Sequence, residues 1–281
     1  MRKFIPGLIL LLSSALFVSC ISARSAGTDI SFGEETAGFI WEELSDGITY
    51  ARHRQRHQGA DYSVVRINLT EPALETVAYP VHIPPEGGSV HGIKVRDFAR
   101  RNGCIAALNA SPFDIPGTST AAGRLLSRKR EIIGIHKVNG REISAPQEKY
   151  ACLALKENPD GTLTARIFPH QGSDVTEDFQ WAFGGFFQVL SEGQKIKFAE
   201  RYDFRTAAGT ADGGAVLYIL AGKKLSYGQC ADILLALGCS DAMEFDGGSS
   251  GCLYTKNFTQ GSALTVANAF GFRARAKTPE E

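Results

Sequence analysis

Apolar and polar positions change period several times along this chain, and each change predicts an element. Ile48-Thr-Tyr-Ala-Arg52 and Tyr62-Ser-Val-Val-Arg-Ile-Asn-Leu69 alternate in the two-residue period of half-buried strands. Residues 74–79 predict a third strand, and the Pro/Gly-rich stretch 80–88 a loop. The period lengthens at Val95-Arg-Asp-Phe-Ala-Arg-Arg101, an amphipathic helix stopped by Asn102-Gly103. A buried strand over 104–108 then ends at Asn109. The middle predicts strands over 131–138, 150–156 and 162–168, the last two joined by the turn Asn158-Pro-Asp-Gly161. Strands over 181–190, 204–208 and 215–221 follow, with Asp212-Gly-Gly214 as a hairpin turn. A helix over 228–237 puts Ile233, Leu234 and Leu237 on one face and closes at Gly238. Strands over 242–246, 252–255 and 266–270 complete the pattern. Strands dominate and no repeat is present. The predicted class is α+β, one strand-rich mixed-sheet domain over 46–281 with a few helices packed on it.

The first residues change that picture. Arg2 and Lys3 precede an apolar, leucine-rich stretch over 5–18, then Ser19-Cys20 and a polar segment. This pattern predicts an export signal over 1–20, too short for a stable membrane span. Cys20 after small residues resembles the lipobox of bacterial lipoproteins, whose cysteine is lipidated and becomes the mature N-terminus. Phe17 stands where that motif prefers leucine, and an ordinary cleaved signal is the alternative. Residues 21–45 are then a tether, and nothing later is apolar enough over a sufficient length to cross a bilayer.

Composition narrows the partners. With 43% hydrophobic residues the chain can bury a proper core, and 30 Lys and Arg balance 30 Asp and Glu. That balance leaves no electrostatic footprint for nucleic acid. Of six cysteines, Cys104, Cys152, Cys230, Cys239 and Cys252 follow Cys20. A helix between Cys230 and Cys239 would hold them about 13 Å apart, beyond disulfide reach. The expectation is mostly free, buried thiols.

Chemistry concentrates in Ala242-Met-Glu-Phe-Asp-Gly-Gly-Ser-Ser-Gly251. If 242–246 is a strand, Glu244 and Asp246 share a face roughly 6.5 to 7 Å apart. Gly247 and Gly248 permit close backbone approach, Ser249 and Ser250 add hydroxyls, and successive N–H groups can form an anion nest. A strand ending in a Gly/Ser turn is the plainer alternative. Upstream, Arg205-Thr206 precedes a buried strand. Its planar guanidinium matches two phosphate oxygens, and Thr206 and Ser250 offer neutral donors. Asn109 is a sugar- or phosphate-binding candidate or a turn former, and Asp114 either joins it or caps a loop. A carboxylate pair suits glycoside cleavage, unless Glu244 is a structural partner of an arginine such as Arg205. The histidines have no ligand spacing, and no metal or cofactor motif is present. A carboxylate-rich phosphate site could still recruit a divalent cation.

Five pieces occur in the order of a known family. They are 95–101 with Cys104-Ile-Ala-Ala-Leu-Asn109 and Phe113; Phe183-Gly-Gly-Phe-Phe-Gln188 with Glu192-Gly193; Arg205-Thr-Ala-Ala-Gly209; Val216-Leu-Tyr-Ile-Leu220 with the helix ending at Leu237-Gly238; and Glu244-Phe-Asp-Gly-Gly-Ser-Ser250. Together they resemble the phosphodiester glycosidase family over roughly residues 62 to 272. Two departures bear on substrate range more than on fold. Ser249 replaces a family glycine while Ser250 aligns with a family serine, and Ala110-Ser111-Pro112 replace the usual upstream glycines. The resemblance implies a hydrolase acting on a phosphorylated carbohydrate. Asp246 and Glu244 would be catalytic, and Arg205, Thr206, Asn109, Gly185, Gly247, Gly248, Ser249 and Ser250 would contact substrate or phosphate. With the signal, it implies an exported protein held by lipid at Cys20 to a bacterial membrane. The alternative is a non-catalytic lipoprotein binding sugar phosphates or envelope glycan, lacking a productive carboxylate pair.

Overall fold

Both predicted helices form, and each ends for a visible reason. In this computed structural model, residues 39–54, 60–82, 89–117, 123 and 127–275 are described. The expected signal over 1–20, its Cys20 and most of the expected tether lie outside them. The helix Val95–Arg101 buries Val95, Phe98 and Ala99. Asn102 Nδ2 donates to the Phe98 carbonyl at 2.9 Å, and Gly103 follows with a φ of 65°. The helix Tyr227–Ala236 starts one residue earlier than predicted. Ser226 Oγ accepts from the Gln229 amide at 3.2 Å, and Gln229 Oε1 accepts from the Ser226 amide at 3.0 Å. This Ser-x-x-Gln capping box was readable in the sequence.

The strand-rich reading holds, but one mixed sheet does not. Every pairing among the described strands is antiparallel, and the strands divide among four sheets. The largest, eight-stranded, runs Glu42–Ser45, Ile48–Arg54, Asp61–Asn68, Val216–Leu225, Asp203–Ala211, Asp241–Glu244, Gln188–Ser191, Gln194–Lys195. One five-stranded sheet has Trp181–Gly184 at its centre; the other is ordered Thr259–Gly261, Cys252–Thr255, Ala106–Asn109, Ala269–Ala274, Leu74–Tyr79. A small sheet joins Val90–His91, Lys129–Ile132 and Phe113–Asp114. Short crossings between antiparallel strands produce this arrangement; the sequence pattern carries strand period, not partner choice.

Three boundaries move. The predicted 181–190 strand is two, Trp181–Gly184 and Gln188–Ser191, in different sheets. At the crossing Gly185 packs against the Glu244 carbonyl and the Met243 methyl, leaving no room for a Cβ. Glu42–Ser45, expected in the tether, pairs with Ile48–Arg54 and buries Leu44. The last strand is Ala269–Ala274, while Val266 makes only an isolated bridge to Ile93. The main core lies between the three larger sheets. Its rings meet where Phe183 stacks on Phe270 with centroids 4.6 Å apart and Phe245 lies 5.5 Å from Phe270. All five cysteines among the described residues are free and buried.

Candidate functional site

Phe245 is the pivot of the site. Its ring is buried in the core, and its amide donates to the Thr206 carbonyl at 2.9 Å, a backbone hydrogen bond to the eight-stranded sheet. One residue on, the Asp246 amide donates to the Ala110 carbonyl at 3.0 Å, past the end of the strand Ala106–Asn109. The Asp246 carbonyl accepts from Asn109 Nδ2 at 2.5 Å and from Thr206 Oγ1 at 2.9 Å. Asn109 is itself fixed, since its Oδ1 accepts from the Cys252 amide at 2.9 Å. Both polar groups of this peptide are therefore held, and the carboxylate has a defined origin.

The glycines after it are needed for space and for turn. A Cβ on Gly247 would lie 2.6 Å from the Phe204 carbonyl, and Gly248 has a φ of +57°. The turn Gly248–Ser250 uses its own donors: Ser250 N bonds the Gly247 carbonyl at 3.1 Å, and Gly251 N bonds that of Gly248 at 3.4 Å. Those two amides are thus spent within the loop, which narrows the expected nest to the amides of Gly247, Gly248 and Ser249. The loop also offers hydroxyls.

Asp246, Ser249 and Ser250 open onto a cleft of about 1080 Å³. Lys94, Arg130, Asp114 and Glu131 also line it, with Phe113 and Phe186 as apolar lining. Asp114 and Glu131 are direct partners across adjacent strands. Burial pushes the Asp246 carboxyl up to about 6, and its hydrogen bond with Ser250 offsets this only in part. Arg130 and Lys94 escaped the sequence reading. Their only signal was basic character beside Thr265 and Phe113, residues distant in sequence.

The expectation that Glu244 and Asp246 share a cleft with Arg205 is corrected. The strand ends at Glu244, so the two-residue period does not extend to Asp246. Glu244 is fully buried beside Cys230 of the helix Tyr227–Ala236, and neither carboxylate oxygen has a well-formed hydrogen bond. Burial pushes its pKa up to about 8, with the Cys230 thiol and the Arg205 charge pulling the other way. Arg205 is also outside the cleft lining. Its Nη2 donates to the Arg201 carbonyl at 2.7 Å, its Nε to the Leu225 carbonyl at 3.4 Å, and its guanidinium lies 3.9 Å from the Tyr227 ring centre. Asn109 and Thr206 hold the Asp246 peptide, and Gly185 gives the Glu244 carbonyl room. Of the expected set, Asp246, Ser249 and Ser250 line the cleft, together with the candidate Asp114, and Gly247 and Gly248 shape the loop. Among the described residues, no three His, Cys, Asp or Glu side chains are grouped to hold a metal ion.

Comparison with solved structures finds the same fold at low identity. A hypothetical protein from Synechocystis matches with a TM-score of 0.62 and 14% identity over 84% of this chain, which spans 64% of that protein. The catalytic domain of zebrafish N-acetylglucosamine-1-phosphodiester alpha-N-acetylglucosaminidase, auto-inhibited by its pro-peptide, matches at 0.60 and 14%, covering 83% of this chain and 86% of its own. An exported protein from Burkholderia pseudomallei, described as putative, matches at 0.57 and 11%, covering 76% and 74%. A comparison with curated proteins found no match. The family model for phosphodiester glycosidase matches residues 102–273, a span that holds Asn109, Arg130, Arg205 and the whole Asp246 loop. On that match the chain belongs to the phosphodiester glycosidase family.

Proposed function

We propose that this protein is an exported hydrolase that releases a sugar from a phosphodiester-linked glycan or glycoconjugate. The observation that carries this reading is the clamped Asp246, lining one cleft together with Ser249, Ser250, Lys94 and Arg130. A carboxyl with its pKa near 6 holds a proton in mildly acidic solution and can pass it to the oxygen linking sugar and phosphate. A phosphate monoester leaves readily, so this proton need travel only part of the way. Asp114 or Glu131, paired on adjacent strands in the same cleft lining, supplies the second carboxylate that activates water, a role the sealed Glu244 cannot take. The apolar faces of Phe113 and Phe186 suit the sugar ring. Export follows from the signal over 1–20, and lipid on Cys20 would hold the enzyme to a bacterial membrane.

A second reading draws on one observation. Glu244 is withdrawn, so the motif delivers a single carboxylate to the cleft, as expected of a sugar-phosphate-binding lipoprotein. A hydrolysis screen of purified protein against sugar phosphodiesters separates the two. Alpha-linked N-acetylglucosamine 1-phosphodiesters come first, because the zebrafish structural neighbour is named for them. Release of free sugar supports the hydrolase; saturable binding of these compounds without turnover supports the binder.

A further inference from the structure

Arg130 is a buried cation that forms no ion pair with a carboxylate among the described residues. It lies on the strand Lys129–Ile132, 6% exposed, in the wall of the cleft that holds Asp246. Its Nη1 donates to the carbonyls of Ser127 and Lys129, both at 2.8 Å, and its Nη2 donates to Thr265 Oγ1 at 2.8 Å. The guanidinium stands 5.5 Å from the Phe113 ring centre. These contacts fix the group but are all neutral. An arginine carries five N–H donors; three are used, so Nε–H and one hydrogen of Nη2 remain, and Nε has no partner among the described residues.

Other arginines have carboxylate partners: Arg52 is paired with Asp61, Arg273 with Glu75 and Arg275 with Glu157, whereas no ion pair among the described residues includes Arg130, Lys94 or Arg205. Arg205 differs in lying outside the cleft lining, with the buried Glu244 within reach of its charge. Taking a charge out of water is costly unless an opposite charge meets it. Burial lowers the Arg130 pKa, yet a guanidinium stays charged at any physiological pH. A cation held rigidly in a cleft wall, with no direct ion pair among the described residues, is an arrangement an anionic ligand completes. Nε is itself sealed from solvent, so the group acts through its charge and its unspent Nη2 donor.

We propose that Arg130, aided by Lys94, is the anion-recognising residue of this cleft and takes the phosphoryl group of the ligand in the space it lines with Ser249 and Ser250. This rests on the phosphodiester reading of the site and replaces Arg205 in that role. Arg205 serves the helix Tyr227–Ala236 instead, through its stacking on Tyr227.

Calorimetry with glucose 1-phosphate, inorganic phosphate and methyl alpha-glucoside tests it. Arg130→Gln should weaken both phosphates at least tenfold and leave the neutral glucoside within twofold, while Arg130→Lys retains more phosphate affinity than Arg130→Gln. Arg205→Gln should leave phosphate affinity within threefold. Unchanged phosphate binding in Arg130→Gln overturns the proposal. Should that variant fail to fold, the wild-type Arg Nε–H NMR signal that is missing from Arg130→Lys decides. Glucose 1-phosphate must shift it and methyl alpha-glucoside must not, and an unmoved signal overturns the assignment. The two claims fail separately. A protein that hydrolyses sugar phosphodiesters with Arg130→Gln at wild-type KM loses the Arg130 role and keeps the function. A protein that turns over none, yet binds phosphate through Arg130, loses the function and keeps the anion site.

Discussion

Glu244 and Asp246 stand two positions apart, but they answer to different surroundings. Glu244 is sealed against Cys230, and with its pKa near 8 it keeps its proton in the fold at neutral pH. An unfolded carboxyl loses that proton near pH 4.3. Between these values the native state binds more protons than the unfolded one, so this residue's contribution to stability falls as pH rises and is lost through pH 8. Glu244→Gln should therefore flatten the decline of Tm between pH 5 and 9 while changing kcat less than threefold. A tenfold loss of kcat in that variant would return Glu244 to the reaction. Asn109→Ala and Thr206→Val act on the Asp246 carbonyl, not on ligand. Each should lower kcat about tenfold with KM little changed, since a misplaced group loses rate before binding. Steady-state kinetics on both variants checks this. At this scale the sequence revealed Asp246, Ser249 and Ser250, because hydroxyls and glycines beside an acid are locally legible. It hid Arg130, whose meaning depends on Thr265 and Phe113, and it misplaced Arg205, whose partners are backbone carbonyls and a ring.

The loop and the helix behind it make separable predictions. Gly247→Ala would put a methyl 2.6 Å from the Phe204 carbonyl. The loop must shift, and both Tm and kcat should drop. A fully active variant would mean the loop is not held where the structure has it. The helix Tyr227–Ala236 packs its Cys230 beside the buried Glu244 and is capped by Ser226 and Gln229. Ser226→Ala should cost about 1 kcal/mol of stability by denaturant titration, with kcat retained. Helices and hairpins were readable because their signals are local, as at Asn102-Gly103, Gly238 and Asn158-Pro-Asp-Gly161. The break at Gly184-Gly185 was not. A continuous apolar run looks the same whether it stays in one sheet or crosses to another, and only the close approach of the Glu244 carbonyl decides it.

For the whole molecule, the strand-rich class followed from strand period over most of the chain, whereas the division into antiparallel sheets depends on pairings between distant segments. Thr259–Gly261 and Leu74–Tyr79 end up as the two edges of one sheet, a placement no local pattern encodes. Export is a further expectation at this scale. Mass spectrometry of the mature protein from a bacterial membrane fraction should find an acylated N-terminal Cys20; an unacylated product starting elsewhere would rule out the lipid anchor.

The central claim is that Asp246 moves the proton in sugar-phosphodiester hydrolysis. The most direct test is the turnover of an alpha-linked N-acetylglucosamine 1-phosphodiester by wild-type protein and by Asp246→Asn, with Tm measured on both. The amide keeps the size of the side chain but has no proton to give, and positioned proton transfer is worth roughly a hundred- to ten-thousandfold. The account predicts a loss of kcat in that range, a wild-type rate that falls as pH rises above about 6, and a Tm equal to or above wild type. Full activity in Asp246→Asn, or a collapsed Tm with the lost rate, would contradict it.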